Sequence, residues 1–287
     1  MRTLPTGGLL KFWRLRPGQS VAETRSATAP GSRIKAHKFE LRPPSVQNAI
    51  DIFAGKWASD LAPVCSVTGT GNADLFRDPR AQMAADALGR QGRLDGFRVL
   101  ELGPLEAAHT CLLERLGAAE IIAVEANTEA FLKCLIVKEA LGLANARFLC
   151  GDIVGYLGAC DRRFDLIFCS GVLYHMSDPI ELIRLIAEHT DRCFVWTHYF
   201  SYEPSNDRMP RTARSVSRYG FDTTYHELTY PDMESGRFWG GNRPVQAWME
   251  KDAILTAFAH FGLAQHAILD EAHDHPAGRC MSFAVWR

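Results

Sequence analysis

The chain has 287 residues, enough for one large domain or for one domain with additions. Its net charge of −1 gives no global electrostatic argument for a nucleic-acid or membrane partner, and no apolar run approaches the roughly 20 residues that span a bilayer. The eight cysteines include no Cys-x-x-Cys pair, so we expect reduced core residues of a cytoplasmic protein, without a disulfide framework or a metal site.

Residues 1–44 are predicted to form a basic, poorly ordered tail. Residues 1–38 contain eight Lys or Arg against a single acid, Glu23, and they are rich in Gly, Pro, Ser and Thr. An Arg-rich, acid-poor start is also typical of a transit peptide. No strong amphipathic period is visible, which favours the tail.

Residues 45–95 are predicted to form a helical cover. The apolar residues Val46, Ile50, Ile52, Phe53 and Trp57 fall near helical spacing and predict a helix over 45–57, which the Phe53–Trp57 piece ends. A second helix is expected over 79–88. Such helices often cover a cofactor cleft, although they could equally pack on a sheet edge.

Residues 96–287 predict an α/β domain. Apolar strands are expected at 97–102, 121–125, 147–150, 164–169 and 192–197, and they alternate with helices at 106–117, at 128–141 and from Asp178 onward. Such alternation indicates a parallel, doubly wound sheet. A last helix at 251–261 and strands at 263–269 and 280–286 predict an antiparallel hairpin that closes the sheet.

The segment 200–250 interrupts this rhythm and is predicted to be an acceptor lid inserted after strand five. Its aromatic residues, together with Tyr199, supply the candidate substrate contacts Tyr199, Tyr225 and Trp239. Arg211, Arg214 and Arg218 are spaced to share one helix face, from which they could bind a carboxylate or a phosphate. A solvated basic face is the alternative.

A tight turn after the first strand, Glu101-Leu-Gly-Pro-Leu-Glu106, leads into a helix. Glu125 ends the second strand 22 residues after Gly103, where a carboxylate accepts hydrogen bonds from ribose hydroxyls. This position suits NAD and S-adenosylmethionine equally. Glu106 at the helix entrance would repel a pyrophosphate but could complement an ammonium group, which disfavours NAD.

Polar residues follow the next two strands as well. Asp152 comes after strand three, where it could bind the amine of adenine, cap a helix, or do both. Ser170 and Gly171 follow strand four at the middle of the sheet, facing the reacting end of a bound cofactor. Four strand ends therefore agree in order and spacing on one cofactor site.

The motifs Glu101-Leu-Gly-Pro-Leu-Glu106, Val124-Glu125-Ala-Asn127, Gly151-Asp152 and Ser170-Gly-Val-Leu-Tyr-His175 resemble those of class I S-adenosylmethionine-dependent methyltransferases, which have a Rossmann-like seven-stranded sheet. The Gly-Val-Leu-Tyr-His motif and the Trp239–Gly262 segment resemble the branch that contains the tRNA wobble-uridine carboxymethyl-transferring enzymes and their small-molecule relatives. The first motif departs from the family's E/D-x-G-x-G-x-G because it keeps only its first glycine.

This resemblance implies that Glu101 and Gly103 line the methionine end of the cofactor, that Glu125 binds the ribose and that Asp152 binds the adenine. Further positions of the same motifs are predicted to contact the cofactor: Pro104, Glu106, Ala126, Asn127, Ile153, Ser170 and Gly171.

His175 and His198 are the candidate bases for an oxygen or nitrogen acceptor, since both follow central strands. Tyr174 could position either substrate. Each histidine could instead be structural, bonded to a backbone carbonyl.

The sequence thus predicts methyl transfer from S-adenosylmethionine to an O or N atom of a small molecule. RNA modification of the wobble-uridine type is possible but not favoured, and a non-catalytic partner-binding protein with this fold is a third alternative. A carboxylated cofactor would need a cation near the transferred group, which the sequence does not place. The sequence does not specify an oligomeric state, and we expect no membrane partner.

Overall fold

The computed structural model describes residues 39–203, 209–229 and 243–287. Contacts divide the chain into two units, Met1–Leu41 and Arg42–Arg287, and the second contains every element described below. The predicted helical cover and the predicted sheet therefore belong to one compact unit. Most of the predicted tail lies outside the described residues. None of the described helices combines the length and the apolar character that a membrane span needs.

The main sheet has seven strands, in the order β3-β2-β1-β4-β5-β10-β9. Their bounds are β1 (Arg98–Leu102), β2 (Glu120–Glu125), β3 (Ala146–Cys150), β4 (Leu166–Ser170), β5 (Arg192–His198), β9 (Gln265–Ala272) and β10 (Cys280–Trp286). The first five strands are parallel, and β10 runs antiparallel between β5 and β9. The predicted seven-stranded sheet is confirmed. The strand order reverses between β1 and β4, which is where open α/β sheets bind their ligands.

Helices cover both faces of this sheet. Their bounds are α1 (Val46–Asp51), α2 (Arg80–Leu88), α3 (Ala108–Arg115), α4 (Thr128–Leu141), α5 (Ile153–Ala159), α6 (Pro179–His189) and α7 (Lys251–His260), with short 3-10 helices at Leu75–Arg77 and Leu173–His175. Two cores result, one with α1 to α4 and one with α5 to α7. In β4, Leu166 and Phe168 enter the first core while Ile167 and Cys169 enter the second, which explains its uninterrupted apolar sequence.

The predicted helix over 45–57 is too long. Helix α1 ends at Asp51, and the chain turns back through Gly55, whose φ of 75° lies in the left-handed region. The Trp57 indole N–H donates to the Ile50 carbonyl at 3.0 Å. The Phe53–Trp57 piece thus follows the helix, and Trp57 bonds back to its last turn.

The inserted segment forms a second sheet of three antiparallel strands, β6 (Thr212–Arg218), β7 (Phe221–Thr229) and β8 (Val245–Trp248). The prediction of a helix carrying the three arginines is wrong. Tyr219 and Gly220, both with positive φ, make a two-residue hairpin turn that pairs Arg218 with Phe221.

Glu106 fastens the segment after α1 to the sheet. Its buried carboxylate accepts backbone N–H bonds from Ala58 at 3.0 Å and Ser59 at 2.7 Å, and it pairs with the Lys133 ammonium of α4 at 3.1 Å. Both Glu106 oxygens accept bonds from these protein groups, so the structure shows a structural role for this carboxylate, and its predicted contact with the cofactor stays a prediction.

Glu106→Gln should destabilise the protein by about 3 kcal/mol, because it removes the buried carboxylate beside Lys133 and leaves that ammonium with only the partly exposed Glu129 carboxylate, at 3.4 Å, as an ion partner. Urea unfolding measures this loss. The double variant Glu106→Gln/Lys133→Met should recover part of it, since no charge then remains buried. A single variant as stable as the wild type would contradict the structural role of the pair.

Candidate functional site

A cavity of about 240 Å³ lies at the carboxyl ends of β1 to β4. Its lining brings together ten of the residues that the sequence singled out: Gly103, Pro104, Glu125, Ala126, Asp152, Ile153, Ser170, Gly171, Tyr174 and His175. These residues come from four separate strand ends, so the parallel order of the sheet is what assembles them.

The turn between β1 and α3 keeps an unusual backbone. Gly103, Leu105 and Ala107 have φ values of 65°, 56° and 62°, all in the left-handed region. These are the three positions at which the resembled motif has glycine. A left-handed backbone costs about 1–2 kcal/mol for a residue with a side chain. Leu105 and Ala107 therefore keep the turn's shape under strain.

Glu125 holds this turn against the end of β2. Its carboxylate accepts N–H bonds from Leu105 at 3.0 Å and from Asn127 at 2.8 Å, and its burial raises the pKa of the carboxyl. Each oxygen retains acceptor capacity beside the cavity. Asn127 contributes its backbone N–H and caps α4 by accepting from Ala130 at 2.9 Å; it does not line the cavity.

Asp152 caps α5 and lines the cavity at the same time. Its carboxylate accepts the Gly155 N–H at 2.7 Å. The helix-cap alternative is therefore confirmed, and binding of the adenine amine by Asp152 stays a prediction.

Glu101 is buried behind the turn and does not line the cavity. Burial raises the pKa of Glu101 to about 8, although a hydrogen bond from the Thr110 hydroxyl opposes the shift; the nearby Glu125 adds to it. The predicted contact between Glu101 and the methionine end is absent from the cavity wall, because the side chain points into the protein.

Arg80, at the start of α2, is a cavity residue that the sequence reasoning missed. Its Nη1 donates to Ser170 Oγ at 2.9 Å, and the guanidinium lies 4.5 Å from the centroid of the Trp196 ring. It also forms an ion pair with Asp78. One indication of this role was available in the sequence: Arg80 lies at the start of a helix that was expected to cover the cofactor cleft.

Asp78 balances the Arg80 charge. Burial alone would raise the pKa of Asp78, but hydrogen bonds from His109 and Arg80 hold it well below its usual range. His109 lines the cavity, with its Nε2 3.5 Å from the Asp78 carboxylate, and it packs against Phe168.

Tyr174 and His175 follow β4 and close one side of the cavity. Desolvation, helped by the nearby His198, lowers the pKa of His175 to about 4, so this imidazole is neutral at pH 7. His198 does not line the main cavity. Its ring stacks on Trp248 at 5.2 Å, and its Nδ1 lies 3.1 Å from the Gly278 carbonyl.

Tyr225 and Arg214 do not line the cavity either. The buried Tyr225 hydroxyl donates to Asp178 Oδ1 at 2.6 Å and accepts the Ile180 N–H at 3.3 Å, so it fastens β7 to the start of α6. Arg214 forms an ion pair with Glu227 on the neighbouring strand. Both side chains therefore have structural contacts, and their predicted substrate roles stay predictions.

Tyr199 and Arg211 likewise have protein partners outside the cavity wall. The Tyr199 hydroxyl donates to Glu271 at 2.7 Å, and desolvation together with this bond raises the pKa of Tyr199 to about 12. The Arg211 guanidinium lies 3.6 Å from the centroid of the Trp248 ring. Trp239, the remaining substrate candidate, lies outside the described residues.

Residues 100–191, about a third of the chain, match the family profile described as a methyltransferase domain. This match supports the resemblance to methyltransferases over these residues. A tRNA U34 carboxymethyltransferase from Campylobacter hominis is 30% identical over 100 residues, covering 32% of this chain and 31% of the relative. A protein of the same name from Sulfurimonas denitrificans is 36% identical over 62 residues, 22% of this chain and 17% of the relative. The chain thus matches less than a third of the length of these curated relatives.

Among solved structures, the N-terminal domain of EvdMO1, crystallised in the presence of S-adenosylhomocysteine (SAH) and D-fucose, has a TM-score of 0.61 and 23% identity. The match covers 84% of this chain and 94% of that domain. Against a structure of EvdMO1 described without a domain limit, the TM-score is 0.53, with 77% of this chain and 42% of the other covered. At this identity the comparison shows the shared fold.

Gly103→Ala should destabilise the protein by about 1–2 kcal/mol, because a Cβ would meet Val172 Cγ2 at 2.9 Å on a left-handed backbone. Gly158→Ala in α5 is the matched control, since its Cβ meets nothing within 4 Å. Thermal unfolding compares the two. Equal melting temperatures for both variants would show that the turn is not constrained as described.

Glu101 should make the stability depend on pH. Its folded pKa of about 8 lies above the ordinary value of 4.5, so folding retains a proton that the unfolded chain loses between these values. The contribution to stability is therefore full below about pH 4.5 and is lost as the pH rises to about 8. Urea unfolding of the wild type should show this loss, and Glu101→Gln should remove it. If the wild type and Glu101→Gln showed the same dependence of stability on pH, the raised pKa of Glu101 would be refuted.

Proposed function

We propose that this chain, whose residues 100–191 form a methyltransferase domain, transfers the methyl group of S-adenosylmethionine to an O or N atom of a small-molecule acceptor. One observation carries the proposal. Glu125, Asp152 and Ser170 meet around one cavity at the switch point of the sheet, with Tyr174 and His175 at its side. No phosphate-binding series of glycines accompanies them.

The charges of the cavity favour a cationic ligand. Glu125 and Asp152 are carboxylates in the wall, while the Arg80 charge is offset by Asp78. A sulfonium cofactor complements this balance, and a pyrophosphate does not. We place the ribose hydroxyls on Glu125 and the adenine beside Asp152 and Ile153.

Arg80 and Ser170 are assigned to the methionine end. The guanidinium has five N–H donors, and Asp78 and Ser170 occupy only part of them. It therefore retains capacity to bind the cofactor's carboxylate. A carboxylated cofactor would need a further cation beside the transferred group, and the described cavity lining contains no Lys or Arg other than Arg80, which favours the ordinary cofactor.

Methyl transfer is an in-line displacement. The acceptor forms a bond to the methyl carbon, the carbon–sulfur bond breaks, and the sulfur keeps the electron pair to give SAH. The protein must align the acceptor and exclude water. His175 is neutral at pH 7 and can take the proton that an O–H or N–H acceptor loses, while Tyr174 flanks the reacting atoms.

The contacts of the second sheet support a small acceptor. Arg214 and Arg218 form ion pairs with Glu227 and Asp178, so they present no array of free cations for a phosphate backbone. Modification of a tRNA wobble uridine is the second candidate, supported by the names of the curated relatives.

All eight cysteines are free thiols, which fits our proposal of a cytoplasmic location.

Calorimetric titration with SAH tests the cofactor assignment. The wild type should bind in the micromolar range, and Glu125→Ala should bind at least ten-fold more weakly, since it loses hydrogen bonds from two hydroxyls to a charged acceptor. Glu139→Ala removes an exposed carboxylate from α4 and should bind like the wild type. A wild type that binds no SAH would overturn the proposal and favour a partner-binding protein.

The acceptor class is tested with a labelled methyl group. Incubation with small-molecule extracts and, separately, with bulk tRNA should give label in the small-molecule fraction. Label confined to tRNA, together with RNA affinity that falls steeply with salt, would replace the small-molecule acceptor by RNA.

A further inference from the structure

We propose that His198, His275 and Cys280 form a binding site for a borderline-soft divalent metal ion of the Zn²⁺ class. One nitrogen from each histidine and the Cys280 sulfur all lie within 4.8 Å of one another. Two imidazoles and one thiolate are ligands that Zn²⁺ prefers over Mg²⁺ or Ca²⁺. The proposal does not depend on methyl transfer.

Two of the ligands are fixed by strand pairing. His198 is the last residue of β5 and Cys280 is the first residue of β10, and they are direct partners in the antiparallel register. Both side chains are buried. The relative position of an imidazole and a thiol is therefore set by the sheet itself, which is the rigid support that a metal site needs.

The hydrogen bonds of His198 select its metal-binding nitrogen. Nδ1 lies 3.1 Å from the Gly278 carbonyl and 3.2 Å from the Arg279 carbonyl, so this nitrogen carries the proton and donates it. The lone pair is then on Nε2. A ring N–H bonded to a backbone carbonyl is the usual way in which proteins orient a histidine ligand.

His275 supplies the adjustable ligand. It lies on the loop between β9 and β10, with its ring centroid 4.9 Å from that of His198. Zinc bond lengths of about 2.0–2.3 Å require ligand atoms roughly 3.3–3.8 Å apart in a tetrahedron. The three ligand atoms lie within 4.8 Å of one another, and a movement of this loop by about 1 Å would bring the His275 nitrogen to the required distance. His275 Nδ1 accepts the Ala277 N–H at 3.1 Å, a bond that the movement would exchange for the metal.

The neighbours of the cluster place it beside the candidate cavity. The Trp196 ring, which lines the cavity, lies 5.2 Å from His198 and 6.3 Å from His275. Tyr174 packs edge-on to His198 at 4.7 Å.

Three protein ligands leave a fourth position for water or another donor, as in zinc sites that exchange a ligand. Binding releases the Cys280 thiol proton to solvent.

Sequence spacing could not reveal this site. His198 and Cys280 are separated in the sequence by the second sheet, α7 and β9, and they meet because β10 lies next to β5. Neither belongs to a Cys-x-x-Cys or His-x-x-x-His pattern. The expectation that the cysteines hold no metal rested on that absence.

The test is titration of the full chain with Zn²⁺ and with Co²⁺ under reducing conditions. After dialysis the wild type should retain one Zn²⁺ per chain, and Co²⁺ should produce a thiolate-to-metal charge-transfer band. Mg²⁺ should not compete. The metal should also raise the melting temperature, because it binds the folded state.

Variants assign the ligands. His275→Ala, on a loop, and Cys280→Ser should each weaken Zn²⁺ binding at least ten-fold, and Cys280→Ser should abolish the charge-transfer band. The matched controls are Cys150→Ser and His266→Ala, both exposed and outside the cluster. They should retain the metal, the band and the thermal shift.

Three results would overturn the proposal. The first is a wild type that retains no Zn²⁺ after dialysis. The second is a charge-transfer band that survives Cys280→Ser or disappears with Cys150→Ser, which would assign the metal to another thiol. The third is unchanged Zn²⁺ affinity in His275→Ala, a loop variant whose folding is checked by its melting temperature without metal.

Discussion

The candidate site depends on the hydrogen bonds that the Glu125 carboxylate accepts. By accepting the N–H of Leu105 and of Asn127, this carboxylate joins the strained turn after β1 to the end of β2. Two neighbouring strands thereby present their ends at a fixed separation. The same carboxylate lines the cavity, so the group that holds the turn is also the group offered to a ligand. A cavity with this rim is pre-organised, which reduces the entropy lost on binding.

The cavity wall combines polar and aromatic groups. The polar groups are Asp152 at the start of α5 and Arg80, which pairs with Asp78 and donates to Ser170. The aromatic groups are Tyr174, which follows β4, and Trp196 of β5, which pack edge-to-face. Polar groups fix the orientation of a ligand, while aromatic surfaces exclude water from the reacting atoms. This combination suits a charged cofactor and a less polar acceptor.

The sequence predicted the sheet and most of the cavity wall because both depend on local patterns that repeat along the chain. Buried parallel strands are continuous apolar runs, and their polar end residues mark one edge of the sheet. Contacts from distant segments were missed. Arg80 reaches the cavity only through the packing of α2, and Glu106 is removed from it by Lys133 and the segment after α1. The second sheet was misread because the spacing of Arg214 and Arg218 fits either a helix or a strand.

A crystal structure of the complex with SAH would show whether the strand ends bind the cofactor as proposed. We expect both ribose hydroxyls to bond to Glu125, the adenine to lie beside Asp152 and the carboxylate of SAH to lie within hydrogen-bond distance of Arg80. The sulfur would then point toward Tyr174 and His175. A ligand bound in the reverse direction, or outside this cavity, would contradict the assignment of the strand ends.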